Sequence, residues 1–335
     1  MKENIHRVLL TLCTAAAVLG ASPIPWRAYQ GPDVGGRAPA LSGSVAAMGD
    51  DASLAFWNPA ALAFMPWQMA TAGYVHQAGV LADPLFSGPK RLNYMAVAGP
   101  NGAFAWRSLA RYRQETAQAA GPDTAFQYLK YSVDEISLAF AVCDPAYPDV
   151  ALGLSAKLLW SRLTQQDQAW TGPGYTRAVL LDENGVGYGL DAGLLWKAGR
   201  VRLFANVQNA LAKVYFDEVA DDRPKARASG GIGWSDEGLP SFSVGAEKYL
   251  FRGSPWLRWM AAGEYKRTIE NYGGLSLRAG YAAYHKGPSD GASWSWGVGY
   301  VYRRLLVDAA AVNLRDTVSG RWRPTYTASL GIHLN

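Results

Sequence analysis

The chain has 335 residues, and 32 Lys and Arg against 27 Asp and Glu give a formal charge of +5. That excess is too small for the length to point to nucleic acid, and no run of five basic residues occurs. Beyond the N-terminus no stretch offers the ~20 consecutive apolar residues that a membrane-spanning helix needs, which excludes a helical membrane protein. What remains is a soluble secreted chain or a barrel, and 36 Gly, 18 Tyr and 13 Trp favour strands with tight turns and aromatic belts.

Residues 1–21 read as a secretory signal peptide. Lys2 and Arg7 supply the positive start, Val8 to Leu19 form a short apolar run, and Gly20, Ala21 and Ser22 are the small residues of a cleavage region. Its removal leaves Cys143 as the one cysteine, so no intramolecular disulfide is expected.

Residues 22–65 form the next unit, and within it GDDASLAFWNPAALAFM (49–65) is the only long helical passage after the N-terminus. Asp51 can cap a short turn through Phe56. Asn58 offers an N-cap with Pro59 at the first helical position, where the missing N–H costs nothing. Two short capped helices followed by strand after strand predict a plug preceding a barrel. Asp50 and Asp51 are expected to cap helices or to pair with lumenal Arg residues, since a metal ion would need more oxygen ligands than the segment offers. Phe56, Trp57, Leu62, Phe64 and Met65 either line an apolar ligand pocket or pack the plug against the wall.

From residue 66 to 335 the chain alternates with period two. In SWSWGVGYVYR (293–303), Trp294, Trp296, Val298, Tyr300 and Tyr302 share one face, opposite Ser293, Ser295, Gly297, Gly299 and Arg303. The same holds for Val150 to Trp160, for Val186 to Trp196 and for the last segment, where Tyr326, Ala328, Leu330, Ile332 and Leu334 align. This is the pattern of lipid-facing strands. Turn signals divide the region into fourteen candidate strands, an even number as in single-chain bacterial barrels. Short turns alternate with mostly longer connections at 81–90, 114–131, 164–184, 212–223, 285–291 and 316–323, which places both chain ends in the periplasm. A soluble β-sandwich would also alternate, but its solvated face carries more Lys, Glu and Thr than the Gly, Ser and Ala seen here. The predicted fold is therefore all-β: a transmembrane antiparallel barrel of fourteen strands with a short helical plug in its lumen. Trp160, Trp196, Trp234, Trp259, Tyr265, Trp294 and Tyr302 would form its interfacial girdles.

The opposite face places Arg107, Arg111, Glu135, Lys157, Asp191, Lys197, Arg202, Arg227, Glu247, Arg258, Glu264, Lys266, Arg278 and Asp308 inside the barrel. Both signs are interspersed, which predicts a network of paired charges that anchors the plug; a selectivity ring would need one sign at one height. Gly185, Gly187 and Gly189 recur every second residue in a strand and precede no helix, so they do not form a phosphate-binding loop. His76, His285 and His333 lie in no nucleophile motif, and neither an enzyme nor a cofactor or metal is expected.

The segment GRAPALSGSVAAMGDDASLAFWNPAALAF (36–64) resembles the N-terminal segment of the FadL-like outer-membrane barrels. The later segments GYGLDAGLLW (187–196), VQNALAKV (207–214), LRAGY (277–281) and TASLGIHL (327–334) are similar to the PorV/PorQ branch of that superfamily. The resemblance implies a fourteen-stranded barrel whose N-terminal segment folds into the lumen as a hatch. It also implies a cell outer-membrane location, surrounding membrane lipid, and insertion by the barrel-assembly machinery. Two functions follow from it as expectations. FadL-type members admit hydrophobic small molecules such as fatty acids or aromatic hydrocarbons. PorV-type members are shuttles of type IX secretion that hold a secreted protein cargo. A purely structural barrel is the third.

Overall fold

The computed structural model describes residues 34–77, 91–120, 123–170, 175–236, 238–250, 256–286, 289–315 and 322–334. The expected signal peptide and the start of the plug segment lie outside the described residues. Fourteen antiparallel strands close on themselves, each paired with its sequence neighbours, and the first with the last. In chain order they are β1 (Met69–Gln77), β2 (Arg91–Gly99), β3 (Gly102–Ala120), β4 (Asp123–Asp144), β5 (Tyr147–Trp170), β6 (Tyr175–Ala198) and β7 (Val201–Tyr215). They continue with β8 (Arg227–Trp234), β9 (Ser241–Tyr249), β10 (Trp256–Ile269), β11 (Gly273–Lys286), β12 (Ser289–Tyr302), β13 (Leu305–Arg315) and β14 (Trp322–His333). Nine paired rows from Met69↔His333 to Gln77↔Thr325 complete the ring. Closure removes the edge strands that an open sheet would expose.

The face assignment follows the sequence pattern. Leu152, Leu154 and Leu158 on β5, Trp294, Trp296 and Val298 on β12, and Tyr326, Leu330 and Ile332 on β14 all point outward and are exposed. Ser155, Lys157, Ser293, Ser295, Thr325 and Thr327 point inward and are buried. A continuous apolar outer band of this kind has no place in water and matches hydrocarbon, where the ladder of a closed barrel satisfies every spanning backbone group. Trp196, Trp259, Tyr265, Trp294 and Tyr302 are outward and exposed, as girdle residues require, while Trp160 and Trp234 are half-buried.

The strands are longest where the sequence suggested loops. The connections expected at 114–131 and 164–184 are largely paired strand instead: β3 and β4 stay paired to Ala120↔Asp123, and β5 and β6, past a register shift at Gln165/Gln166, to Trp170↔Tyr175. These segments are rich in Gln, Thr and Asp. Strand that rises beyond the bilayer has no lipid-facing side, so it carries no apolar period to betray it. The connection at 285–291 is likewise a hairpin, with His285 inside β11. The connections at 81–90 and 316–321 lie outside the described residues. The turns at the other end are short. Asn101, at φ 70°, closes the two-residue β2–β3 turn, a left-handed conformation that Asn tolerates well.

Inside the barrel, at the end of the short turns, sit two helical turns, α1 (Arg37–Ala40) and α2 (Leu54–Trp57), and a 3₁₀ turn, η1 (Pro59–Phe64). Asn58 caps η1 as expected, its side-chain oxygen accepting from the Ala60 N–H at 3.1 Å. Asp51 accepts from the Ser53 N–H at 2.8 Å just before α2. The sequence pattern gave no sign of α1, whose four residues include Pro39 and have no polar cap.

Candidate functional site: a clamped plug and a second apolar cluster

The plug is small and apolar at its centre. Leu41, Val45, Leu54, Trp57, Ala60 and Leu62 are almost fully buried in one cluster with wall residues Tyr94, Ala151, Leu195 and Phe204. Of the candidate ligand-pocket residues, Phe56, Trp57, Leu62 and Met65 are buried in this cluster and Phe64 packs half-buried against it. The space beside them is not open hydrocarbon. The Arg107 guanidinium lies 4.0 Å from the Phe56 ring centre and that of Arg227 5.6 Å from it, while the Lys197 ammonium sits 3.8 Å from the Phe64 ring. Cations stacked on these rings hold them by their quadrupoles and fill the volume a solute would use.

Glycines set how closely the plug approaches the wall. A Cβ at Gly153 would overlap the backbone of Pro59 and Ala60, and one at Gly193 would strike the Asn58 side chain. Across these gaps the wall reaches for plug carbonyls. Asn206 donates to the Trp57 carbonyl at 2.8 Å and Gln208 to that of Phe56. Arg258 donates to the Ser42 carbonyl at 2.6 Å, Ser243 to that of Ser44 at 2.7 Å and Tyr94 to that of Ala52 at 2.8 Å. In return Asn58 donates to the Leu194 carbonyl at 3.1 Å. Short irregular backbone leaves many carbonyls without helix partners, and these side chains satisfy them.

The lumenal charges fall into three mixed groups. In the first, Glu264 on β10 receives Arg37 of the plug, Nε to Oε1 at 3.0 Å, and Arg278 of β11 at 2.6 Å. Arg37 also pairs with Asp50 and lies 3.5 Å from Asp51, Lys266 reaches Asp50 at 2.8 Å, and Arg278 pairs with Asp308. Burial opposes ionisation of Asp50, but Arg37 and Lys266 outweigh it and hold this carboxyl well below the ordinary carboxylate range. The second group joins Arg107 to Glu135 at 2.6 Å and Lys157 to Asp191 at 2.7 Å, with Lys157 and Glu135 3.5 Å apart. A bulge at Asn209, φ 52°, turns its N–H onto Asp191 at 2.7 Å. The third sets Glu247 between Arg227 at 3.2 Å and Arg258 at 3.8 Å. Arg202 is half-buried and donates to the Ala47 carbonyl at 3.3 Å. The side chain of Arg111 lies outside the described residues. Signs alternate within each group, so these are compensated networks whose charges bind one another and the plug.

Toward the opposite end a second apolar cluster lies on the inner wall of β3 to β7, and no sequence motif announced it. Leu109, Tyr131, Val133, Leu159, Leu163, Val214 and Phe216 form a separate buried cluster, with Leu181 and Val219 packed on it. The segment after β7 folds back over it, pinned by paired backbone hydrogen bonds between Val214 and Asp222 and by the Tyr131 hydroxyl donating to Asp222 at 2.9 Å. Glu183 of β6 faces this cluster. On the outer wall, an apolar groove of about 460 Å³ lies over β8–β11, where Gly230, Gly231 and Gly245 leave the wall thin. Among the described residues no group of three or more His, Cys, Asp or Glu could hold a metal ion. His76 stands on β1, His285 on β11 and His333 on β14, on three separate strands.

No protein-family model matches the sequence, and no curated protein matches it. Solved structures do. A Pseudomonas aeruginosa FadL homologue superposes with a TM-score of 0.59 at 14% identity, covering 91% of this chain and 99% of that one. The CymD monoaromatic hydrocarbon channel gives 0.60 at 10% identity, over 90% and 98%. The Ralstonia pickettii toluene transporter TbuX gives 0.55 at 13% identity, over 90% and 98%. At such identities the likeness is one of fold, and it extends over nearly the whole described chain.

Proposed function

We propose that this protein is an outer-membrane barrel through which hydrophobic small molecules, of the hydrocarbon or fatty-acid class, pass without being chemically changed. The reading rests on one observation above others. The segment that closes the lumen is no part of the sheet and is held by side-chain bonds to its carbonyls and by ion pairs, inside a barrel whose fold is that of a toluene transporter and a monoaromatic hydrocarbon channel. Such bonds can be exchanged for water as the segment shifts, whereas a strand cannot leave a closed barrel without opening its ladder. Because Arg107 and Arg227 fill the space beside Phe56, passage requires the 34–65 segment to move and does not run past these rings in the closed state.

In this reading the chain ends face the periplasm, membrane lipid covers the apolar band, and the barrel-assembly machinery inserts the chain. The motif at 36–64 supports its place in the FadL-like superfamily, and the segments similar to PorV/PorQ proteins support that branch. The second function, a PorV-like receiver of secreted protein, rests on that resemblance. The test is uptake of radiolabelled toluene and of a long-chain fatty acid by a Gram-negative host expressing the protein, against the empty vector. Faster uptake of either solute is expected. Equal rates for both, with the barrel verified in the outer membrane by heat-modifiable gel mobility, would overturn the transport reading.

A further inference from the structure

Glu183 stands apart from every other buried carboxylate of the lumen. Its residue is 8% exposed, both carboxylate oxygens are shut off from solvent, and neither has a hydrogen-bond partner among the described residues. Its surroundings are largely apolar, and the buried hydroxyls nearby, those of Ser161 and Tyr131, are engaged with the Gly185 carbonyl and with Asp222. Across β6, β5 and β4 it occupies one inward row with Leu163 and Tyr131, through the pairings Leu163↔Glu183 and Tyr131↔Leu163. Two residues along β6 on the same face, a Cβ at Gly185 would come within 2.6 Å of the Ser161 hydroxyl oxygen and 2.7 Å of the Phe216 ring, so this ring packs over the strand one pleat from Glu183, and the Ser161 hydroxyl donates to the Gly185 carbonyl at 3.3 Å. The hydroxyl nearest by row, that of Tyr131, is turned to Asp222.

An ionised carboxylate in such a place costs several kcal/mol unless a cation or several donors meet it. The other lumenal acids obey this rule: Glu135, Asp191, Glu247, Glu264 and Asp308 each have a Lys or Arg within 4 Å. Here an apolar enclosure and an unanswered acid lie together beneath a short folded segment pinned by Asp222. That combination suits a ligand with a hydrocarbon body and a proton-donating head. An ammonium satisfies it better than an alcohol, because it offers up to three donors for two open oxygens and brings the missing charge.

We infer that Glu183 and the apolar cluster around Phe216 form a binding site for hydrophobic amines, the hydrocarbon body replacing the Phe216 ring and the ammonium meeting the carboxylate. The inference rests on the transport reading for its direction, since it names a class of solute that the lumen would favour. It is nevertheless testable by binding alone.

The experiment is calorimetry on the detergent-solubilised, heat-modifiable barrel with 2-phenylethylamine and its neutral counterpart 2-phenylethanol. The native protein should bind the amine at least about tenfold more tightly than the alcohol, the difference expected for hydrogen bonds to a charged group. Glu183→Gln, which keeps the shape and removes the charge, should abolish that preference, and Glu183→Leu should weaken the amine further. Amine and alcohol bound alike, no binding of either, or full amine affinity in Glu183→Gln would each overturn the site. Toluene uptake by cells carrying Glu183→Gln separates the two claims. Retained uptake with no amine preference defeats only this inference. Amine binding without solute uptake by the native protein defeats only transport.

Discussion

At the plug end of the lumen Glu264 meets two guanidinium groups, Arg37 from the plug and Arg278 from the wall, and plug carbonyls are taken up by Asn206, Ser243, Arg258 and Tyr94. At the far end two buried acids lie by the leucine, tyrosine and phenylalanine cluster: Asp222, which accepts from Tyr131, and Glu183, neither of whose oxygens has a hydrogen-bond partner among the described residues. The first region is electrostatically complete, so removing any member leaves a buried charge behind. The second is incomplete and can gain from a ligand. A satisfied network and an unanswered acid face the same lumen, and they should answer very differently to mutation.

The largest effect is expected where compensation is fullest. Glu264→Ala strands Arg37 and Arg278 and should cost about 3–5 kcal/mol, the range for breaking a buried pair from one side. Denaturant titration followed by heat-modifiable mobility measures it, and limited proteolysis should find residues 34–65 newly accessible. Arg162→Ala removes an ion pair of similar geometry but exposed, 62% and 39% at the two side chains, and should change stability by less than about 1 kcal/mol. Equal costs for the two would mean that the clamp is not what holds the plug.

Next in size is crowding at the plug contact. Gly153→Val pushes a side chain into the backbone at Pro59 and Ala60 and should cost about 1–3 kcal/mol. Gly102→Ala, where the nearest atom to a Cβ is 3.8 Å away, should pass almost unnoticed in the same unfolding assay.

A smaller change is expected at the far end. Tyr131→Phe removes the hydroxyl that donates to Asp222 and also meets Ser161, and should cost about 1 kcal/mol. Hydrogen exchange should quicken at 216–222 and stay unchanged at 34–65. Exchange that quickens in both would show that the two regions are coupled.

The smallest is the response to mild acid. The Asp50 carboxyl is held low in the folded protein by Arg37 and Lys266, so its contribution is complete above the ordinary carboxylate value near 4. It is lost only as pH falls further, toward the depressed folded value. Proteolytic protection of the plug should therefore be flat from pH 7 to pH 5 and fall below about pH 4. Release already at pH 6 would place the controlling group elsewhere.

The barrel was legible in the sequence because a bilayer imposes a period of two on every spanning strand. Trp294 to Tyr302 and Tyr326 to Leu334 show their faces in residue order alone. Asn58 and Pro59 were legible for an equally local reason, since a cap and a proline-tolerant first position act within three residues. The upper parts of β3 to β6 were not, because strand above the membrane has no apolar face. Nor was α1, a single turn whose helical form comes from contact with β11 to β13 and from the buried Arg37, with no propensity or cap of its own.

Amino-acid order alone thus determined that the chain closes into a fourteen-stranded barrel, which residues face lipid, and that acids and bases of both signs line the lumen. Alternation is a property of neighbours along the chain. Which acid meets which base came from the closed ring, which sets Arg37 against Glu264, 227 residues away, and leaves Glu183 without a hydrogen-bond partner among the described residues. Pairing across a lumen depends on strand register and on where the plug lies, and no local pattern encodes either.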